Sequence, residues 1–518
     1  MTRPSAGNRR QSILACLVVA LFLALASLAA AFNHDEDQYY GASYAMLHGA
    51  LYRDFIFLQT PLNAWLGYGV MLLSPDNSLW LLRIVQGLIG AATFAIVLFT
   101  CNRLTRSFRI ALFSAGSMLG CYSFLFATTV FRNDMLPCLF ATAAIGLLVL
   151  RAQDGAARLD RVLPVAGALL ALAASAKVNY LLLCFAPAAW IAAAPGIAFA
   201  ARTRRLALFL AGGLVGALPT FFYLALNPAQ FMWQVVEFAL AAPPDWYRSV
   251  GDVDSITMTG KVKDIFLILV QGPTLLALAM IVFDRLRPAE DTDAAAARSA
   301  LLLDFVILFG LIAAIAPTPA WRQYFVSFLP ALAMRLAIAL DHRSPRQVRV
   351  GLLGLALFAC AGLTAWTIKT AKILRHPENS IVTRWKESRW IGAHLPQGTT
   401  AENAVVALSP HLIVDSGALI HPRFVSGVFV YRWSNTDRQK EIYDMGGISA
   451  KSVTGWLSKR PPAAIVTGYE NGNGNAFSVN LEKPLDLFAR NHGYEMMKSP
   501  YGNAILYRLP AAAWKARR

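Results

Sequence analysis

At 518 residues, with 56% hydrophobic and only 15% charged side chains and a mean hydropathy of +0.48, the chain has the composition of an integral membrane protein rather than a soluble one. The formal net charge of +17 does not point to nucleic acid, because the basic residues sit in short groups between apolar runs and not in a patch interleaved with aromatics. The six cysteines (Cys16, Cys101, Cys121, Cys138, Cys184 and Cys360) lie in or beside apolar runs without Cys-x-x-Cys or His/Cys spacing, so neither a zinc site nor a disulfide framework is expected.

The first apolar run, residues 12–32, follows Arg3, Arg9 and Arg10. It is longer than the roughly 7–15 residues of a signal-peptide apolar region, so an uncleaved first span is expected; a cleaved signal peptide is the competing reading, since SLAAAF offers small residues for processing. Further stretches of spanning character lie at 79–100, 110–127, 133–150, 162–176, 178–198, 206–226, 264–283, 299–317, 324–340 and 350–369, about eleven in all. The segment 162–176 is the shortest of them, and 60–74 reads as another span or an interfacial helix.

Six alternate connections each carry three arginines: Arg3, Arg9 and Arg10; Arg103, Arg106 and Arg109; Arg151, Arg158 and Arg161; Arg202, Arg204 and Arg205; Arg285, Arg287 and Arg298; Arg343, Arg346 and Arg349. The positive-inside rule then predicts a multi-pass protein of the plasma (inner) membrane with a cytoplasmic N-terminus and a periplasmic or extracellular C-terminus. Two connections on the outer side are long. In 33–78 the part QYYGASYAMLHG, 38–49, has the spacing of an interfacial helix, and in 227–263 the Trp and Tyr of APPDWYRS suit a membrane surface.

From residue 376 turn residues and alternating apolar runs take over: AVVAL at 404–408, FVSGVFV at 424–430, AAIVT at 463–467 and AILYR at 504–508 read as strands, and LDLFARNHGY as a helix. The predicted organisation is a transmembrane module over 1–375, with its first outer loop at 33–78, and a small outer-face α/β domain over 376–518. There is no internal repeat and no low-complexity tract.

The residues able to carry chemistry gather at the outer boundary. Asp35, Glu36 and Asp37 stand at the mouth of the first span, followed by Tyr39, Gly49, Tyr52, Arg53, Asp54, Phe55, Pro61 and Leu62. Arg83 opens the second span. Arg132 and Asp134 of VFRND form a short connection, for which a helix cap at Asn133 or Asp134 with a snorkelling Arg132 is the structural alternative. Lys177 of ASAKVNY lies between two short apolar runs, where an unpaired ammonium costs about 2.5–3.5 kcal/mol; snorkelling competes with a bound lipid phosphate as the remedy. Arg322 and Tyr324 sit at another outer boundary.

The order Asp-Glu-x-x-Tyr, then Ala-x5-Gly-x-x-Tyr-Arg-Asp-Phe, then Pro-Leu before an apolar helix, resembles the first outer loop of the GT-C superfamily of polyprenyl-phosphate-sugar-dependent glycosyltransferases. It is more narrowly similar to the branch containing protein O-mannosyltransferases and lipid A aminoarabinose transferases. The similarity continues through LWLLRIVQGLIGAATFAIVLF, TTVFRNDMLPCLFATAAIGLL and GALLALAASAKVNYLLL, over residues 12–340.

This resemblance implies a membrane glycosyltransferase that moves a sugar from a polyprenyl-phosphate donor to a lipid, glycan or protein acceptor on the outer face. It implies Asp35 as the base, with Glu36 beside it as a close carboxylate that raises one pKa, and Arg132 and Asp134 as active-site residues. Lys177 is implied as the phosphate ligand and Tyr39, Tyr52, Arg53 and Asp54 as positioning substrate; Arg322 and Tyr324, by their own boundary position and the bidentate reach of arginine, are expected to grip the sugar phosphate. Asp37 is expected to be a solvated cap. A divalent metal at His34, Asp35 and Glu36 is conceivable but disfavoured, because adjacent residues seldom present ligands to one ion. Asp304 and Arg335 are expected to be paired structurally. The alternatives are a lipid-linked sugar flippase, against which no inverted repeat or broken-helix pair is visible, and an O-antigen-type polymerase, whose arginine-rich outer loops are missing.

Overall fold

The computed structural model describes residues 6–152, 156–193, 197–288, 294–395, 403–472 and 478–510. Arg3 and positions 194–196 of one apolar stretch lie outside these ranges. Each of the eleven apolar stretches is largely helical in its described part, but they are not eleven straight rods, and 110–127 is interrupted by a turn at 117–121. Among the described residues, five helices are long and apolar enough to cross a membrane alone: Gly7–Ala29, Ser78–Leu104, Ala157–Ala176, Ala294–Ile315 and Pro345–Leu374. The third of these, the shortest stretch in the sequence reading, gains a turn at its N-terminal end. The chain is a multi-pass α-helical membrane protein.

Two further crossings are broken, contrary to the sequence expectation that no broken pair exists. Phe199–Gly216 and Leu218–Leu226 meet at 56°, and Met258–Val270 and Thr274–Leu286 at 87°. Pro219 and Pro273 stand at these breaks, and a proline can begin a helix but cannot donate to the turn before it. The 60–74 stretch forms a helix only over Leu62–Leu73, too short to cross.

Leu23, Phe94, Leu98, Ala141, Leu148, Leu163, Leu170, Leu303 and Val306 belong to one bundle core. The arginine-rich connections meet one another. The backbone N–H of Arg106 donates to Asp341 at 2.9 Å, Arg343 pairs with Asp284 at 2.6 Å, and Arg335 joins Asp284 at 2.8 Å and Asp304 at 2.9 Å. Asp304 and Arg335 are thus the structural pair expected.

We label the helices that build the site α1 (Ala6–Ala29), α2 (Glu36–Ala45), α3 (Leu62–Leu73) and α4 (Ser78–Leu104). The C-terminal part carries a four-stranded sheet of β1 (Val406–Ala407), β2 (Ala464–Thr467), β3 (Glu495–Lys498) and β4 (Ile505–Arg508), ordered β1-β2-β4-β3. β1 and β2 are parallel, and the other two pairings are antiparallel. Three of the four strands expected from the sequence form. The fourth, FVSGVFV, instead makes short helical turns at Pro422–Phe424 and Val428–Tyr431, because Val425, Val428 and Val430 are buried in two different clusters as well as against α2. β3 was illegible because its largely exposed side chains, Glu-Met-Met-Lys, lack an alternating pattern.

Two surface expectations fail for a shared reason. Every residue of α2 is buried, so it is not an interfacial helix; it lies between the bundle and the C-terminal part, in one cluster with Ile391, Leu412, Val466 and Leu506. Gly41 permits this approach, since a Cβ there would collide with the Val425 carbonyl. Trp246 and Tyr247 of APPDWYRS are likewise 7% and 6% exposed, packed on Phe424, Tyr431 and Tyr507 rather than on lipid.

Glu482, 1% exposed, fastens the turn after β2 by accepting the backbone N–H groups of Gly468 at 2.7 Å and Tyr469 at 3.3 Å. Burial and the nearby Glu470 raise its pKa from 4.5 to about 8 against the pull of these hydrogen bonds. The folded protein therefore holds a proton here that the unfolded chain releases near 4.5. The stability this confers is complete below that value and is lost as pH rises through about 8. Melting curves of the full-length protein should fall between pH 5 and pH 9, with Glu482→Gln removing part of the slope; a variant with the wild-type slope would refute this.

Candidate active site between the membrane helices and the C-terminal sheet

After α1 the chain turns through Asn33, His34 and Asp35 into α2. Glu36 and Arg83 of α4 are both fully buried and meet in a two-pronged ion pair at 2.6 Å. Glu36 also accepts the backbone N–H of Asn33 at 2.9 Å and of Phe131 at 2.8 Å. Arg83 donates its remaining N–H groups to the carbonyls of Ser27, Ala30, Ala31 and Thr129. One ion pair thereby fixes the end of α1, the first loop and the 129–131 connection against each other.

This alignment brings Asp35 onto Arg132. Arg132 also donates to Asp134 at 3.0 Å, and the other Asp134 oxygen pairs with Lys177. The Lys177 ammonium lies 4.7 Å from the Tyr324 ring centroid. The result is a chain of alternating charge, Asp35–Arg132–Asp134–Lys177. His34 contacts the free oxygen of Asp35 at 3.1 Å. Burial opposes ionisation of Asp35, but Arg132 and then His34 outweigh it and hold the carboxyl well below the usual carboxylate range. Tyr39 donates to Asn133 at 2.7 Å, and Asn133 to Gln59 at 2.7 Å, which locks the connection from behind. Arg322 sits 4.3 Å over the Tyr122 ring and donates to Gln271 at 3.0 Å.

Asp35, Arg132, Lys177, Arg322 and Tyr324 line a cavity of about 1580 Å³, closed from the other side by Ser409, His411, Arg432, Tyr469 and Glu470 of the C-terminal part. No protein-family model matches the chain, and no characterised protein matches it in sequence. In structure it is similar to ArnT from Cupriavidus metallidurans bound to undecaprenyl phosphate, with a TM-score of 0.63, and to the apo state of the same protein, with 0.61. Both superpositions cover 97% of this chain and 98% of the other at 14% identity. The chain has the ArnT fold.

Within this ArnT fold, Asp35, Tyr39, Arg132, Lys177, Arg322 and Tyr324 line the common cavity. Five other sequence candidates do not. Glu36 faces Arg83, so Asp35 and Glu36 are not a pair sharing one site; each has its own cation. Asp134 is fully buried behind Arg132 and Lys177, and it heads its helix without a side-chain cap. Tyr52, 1% exposed with φ +62, donates to the Gln59 carbonyl at 2.5 Å among Tyr223 and Phe231. Arg53 and Asp54 pair with each other at 2.9 Å on the surface. These last three make their polar contacts within the loop, outside the cavity lining. Asp37 is also no solvated cap: it is 2% exposed and accepts from the His411 backbone at 3.0 Å and from its Nδ1 at 2.6 Å.

Several cavity residues in this ArnT-like chain escaped sequence reasoning. Lys369 and Lys372 lie at the end of the last membrane helix, where the boundary logic that found Lys177 would also have found them. Arg384, His411, Arg432 and Glu470 carry no local signal and reach the cavity only through the fold of the C-terminal part.

Arg83→Met would leave Glu36 as an uncompensated buried charge and is expected to cost about 3–5 kcal/mol, read from denaturant midpoints in detergent. Adding Glu36→Gln should restore much of the loss, whereas equal destabilisation of the single and double variants would show that the pair is not the brace described.

Proposed function

We propose that the protein is an integral-membrane glycosyltransferase that moves a sugar from a polyprenyl-phosphate donor to an acceptor on the outer face. On this reading residues 1–375 form the transmembrane module and 376–518 an outer-face domain. The observation that carries it is the charge inventory of the cavity. The four-membered chain from Asp35 to Lys177 is balanced, while Arg322, Lys369 and Lys372 add positive charge with no carboxylate bonded to them among the described residues. A lipid phosphodiester with one negative charge suits that surplus. The departing lipid phosphate gains a second charge as the sugar–oxygen bond breaks, so the same cations stabilise the transition state more than the ground state.

Asp35 is the proposed base. Its bond to Arg132 lowers its basicity, and a donor phosphate that engages Arg132 would draw off that charge and return basicity to Asp35 as the reactants assemble. Arg132, Lys177, Arg322 and Tyr324 are the proposed donor-phosphate residues. Asp134 positions Arg132 and Lys177 together, and Tyr39 holds the connection through Asn133. Glu36 acts through structure, by setting the loop that carries Asp35. The resemblance of the loop motifs to lipid A aminoarabinose and protein O-mannosyl transferases and the likeness to an ArnT bound to undecaprenyl phosphate support this reading.

A lipid-sugar flippase is the second reading, favoured by the two broken crossings. One experiment separates them. Asp35→Asn should still give a folded protein with a cooperative thermal melt and should still bind donor, while lowering sugar transfer from a labelled polyprenyl-phosphate donor by about 10²–10⁴-fold. Retained transfer would remove the base assignment, and lipid translocation without any transfer by the wild type would favour the flippase. Because the Asp35 carboxyl lies below the usual range, the donor-free enzyme should show no acidic limb from this group above about pH 4 in kcat/KM.

A further inference from the structure

In an open α/β sheet the loops at the carboxyl ends of parallel strands form the ligand crevice. Here the loops after β1 and β2, with Ser409 and His411 on one and Gly468, Tyr469 and Glu470 on the other, are the ones that face the cavity. Glu470 is 7% exposed, its backbone is held by the N–H of Leu481 at 2.9 Å, and no hydrogen bond or ion pair reaches its carboxylate among the described residues. Arg432 lines the same cavity with its guanidinium 5.2 Å from the Trp246 ring and 4.8 Å from that of Phe429, also without a hydrogen-bonding partner there.

The two charges act on each other and on the His34–Asp35 end of the site, yet they stand too far apart to pair. A nearly buried carboxylate and a half-buried guanidinium held apart carry a desolvation cost that a ligand between them would offset. Around them stand the aromatic faces of Trp246, Tyr247, Phe429 and Trp433. Flat apolar rings beside a two-oxygen acceptor and a multi-donor fork match a pyranose, which offers C–H faces to the rings and neighbouring hydroxyls to both forks.

We propose that Glu470 and Arg432 form the acceptor subsite and that the acceptor is a saccharide, bound by hydroxyls bridging the two and presenting a further hydroxyl to Asp35. This deepens the transferase reading and rests on it. The hydroxyl O–H bond breaks with its proton passing to Asp35, the oxygen bonds the anomeric carbon, and the bond from that carbon to the phosphate oxygen breaks, releasing polyprenyl phosphate.

Burial, with Asp37 adding to it, raises the Glu470 pKa to about 7 while His34, Arg432 and Arg384 pull it down; Glu482 is the other charged neighbour. The ionised carboxylate is the stronger acceptor, so acceptor KM should fall as pH rises through about 7.

The test uses the full-length protein in nanodiscs with a labelled polyprenyl-phosphate sugar. The acceptors are disaccharides of hexoses and N-acetylhexosamines and, for contrast, a Ser/Thr-rich peptide. Transfer to a disaccharide is expected, with Glu470→Gln raising its KM roughly tenfold and leaving donor KM unchanged, and Glu470→Asp recovering part of the loss. Transfer to the peptide alone, or an unchanged acceptor KM in Glu470→Gln, overturns the proposal. Should that variant not fold, a wild-type acceptor KM that is flat across pH 7 overturns it equally. A wild type that never consumes donor sinks the transferase reading and this one together, whereas donor consumption that ignores saccharides sinks this one alone.

Discussion

The Arg83–Glu36 pair sets the geometry on which the rest of the site depends. An ion pair with no exposed surface on either partner carries a large desolvation cost and is tolerated only when its remaining donors and acceptors are used. Here they are used on backbone. Four carbonyls from the end of α1 and the 129 position converge on the guanidinium, and two N–H groups from residues 33 and 131 converge on the carboxylate. Because those backbone groups belong to separate connections, satisfying one pair aligns several segments that are distant in sequence. Asp35 and Arg132, each one residue away from a tethered position, then have no choice but to meet.

From that meeting follows the alternating row of charge. Asp134 is used up between Arg132 and Lys177, which holds both cations on one side of the cavity. Aromatic rings take the part that water would play elsewhere: Tyr324 lies under Lys177, Tyr122 under Arg322 and Phe126 beside both Arg132 and Lys369. Arg322 and Lys369 are thus partly stabilised with no carboxylate bonded to them among the described residues, while Arg132 and Lys177 share Asp35 and Asp134.

The apolar stretches and the arginine alternation were legible because hydropathy and charge are local properties of the chain. Asp35, Arg132, Lys177 and Arg322 were legible for a related reason: an ionisable group at a span boundary stands out against an apolar background. What could not be read was direction. Nothing in a run of adjacent residues says that Glu36 faces Arg83, that Tyr52 turns inward at a positive φ, or that Arg53 and Asp54 satisfy each other at the surface. The C-terminal contribution was invisible for a further reason. Ser409, Arg432 and Glu470 are brought together by a strand pairing between residues about sixty positions apart, and no local pattern encodes that pairing. The burial of α2, Trp246 and Tyr247 was misread on the same ground, since a surface suited to lipid is equally suited to another part of the chain.

The three consecutive acids, Asp35, Glu36 and Asp37, now have separate explanations. Successive residues at the start of a helix point about 100° apart, and Asp35 already has helical dihedrals, φ −64 and ψ −22. Three neighbours therefore look in three directions. Asp35 faces the cavity and Arg132, Glu36 faces the bundle and Arg83, and Asp37 faces the C-terminal part and His411. Shifting the helix by one residue would exchange these roles and break all three contacts at once, so the contacts act jointly to set its register. The same turn of helix that ties down the proposed base also ties the membrane bundle to the loop after β1. The proposed donor residues on one wall of the cavity and Glu470 on the other are thereby held at a separation that neither part of the chain could set by itself.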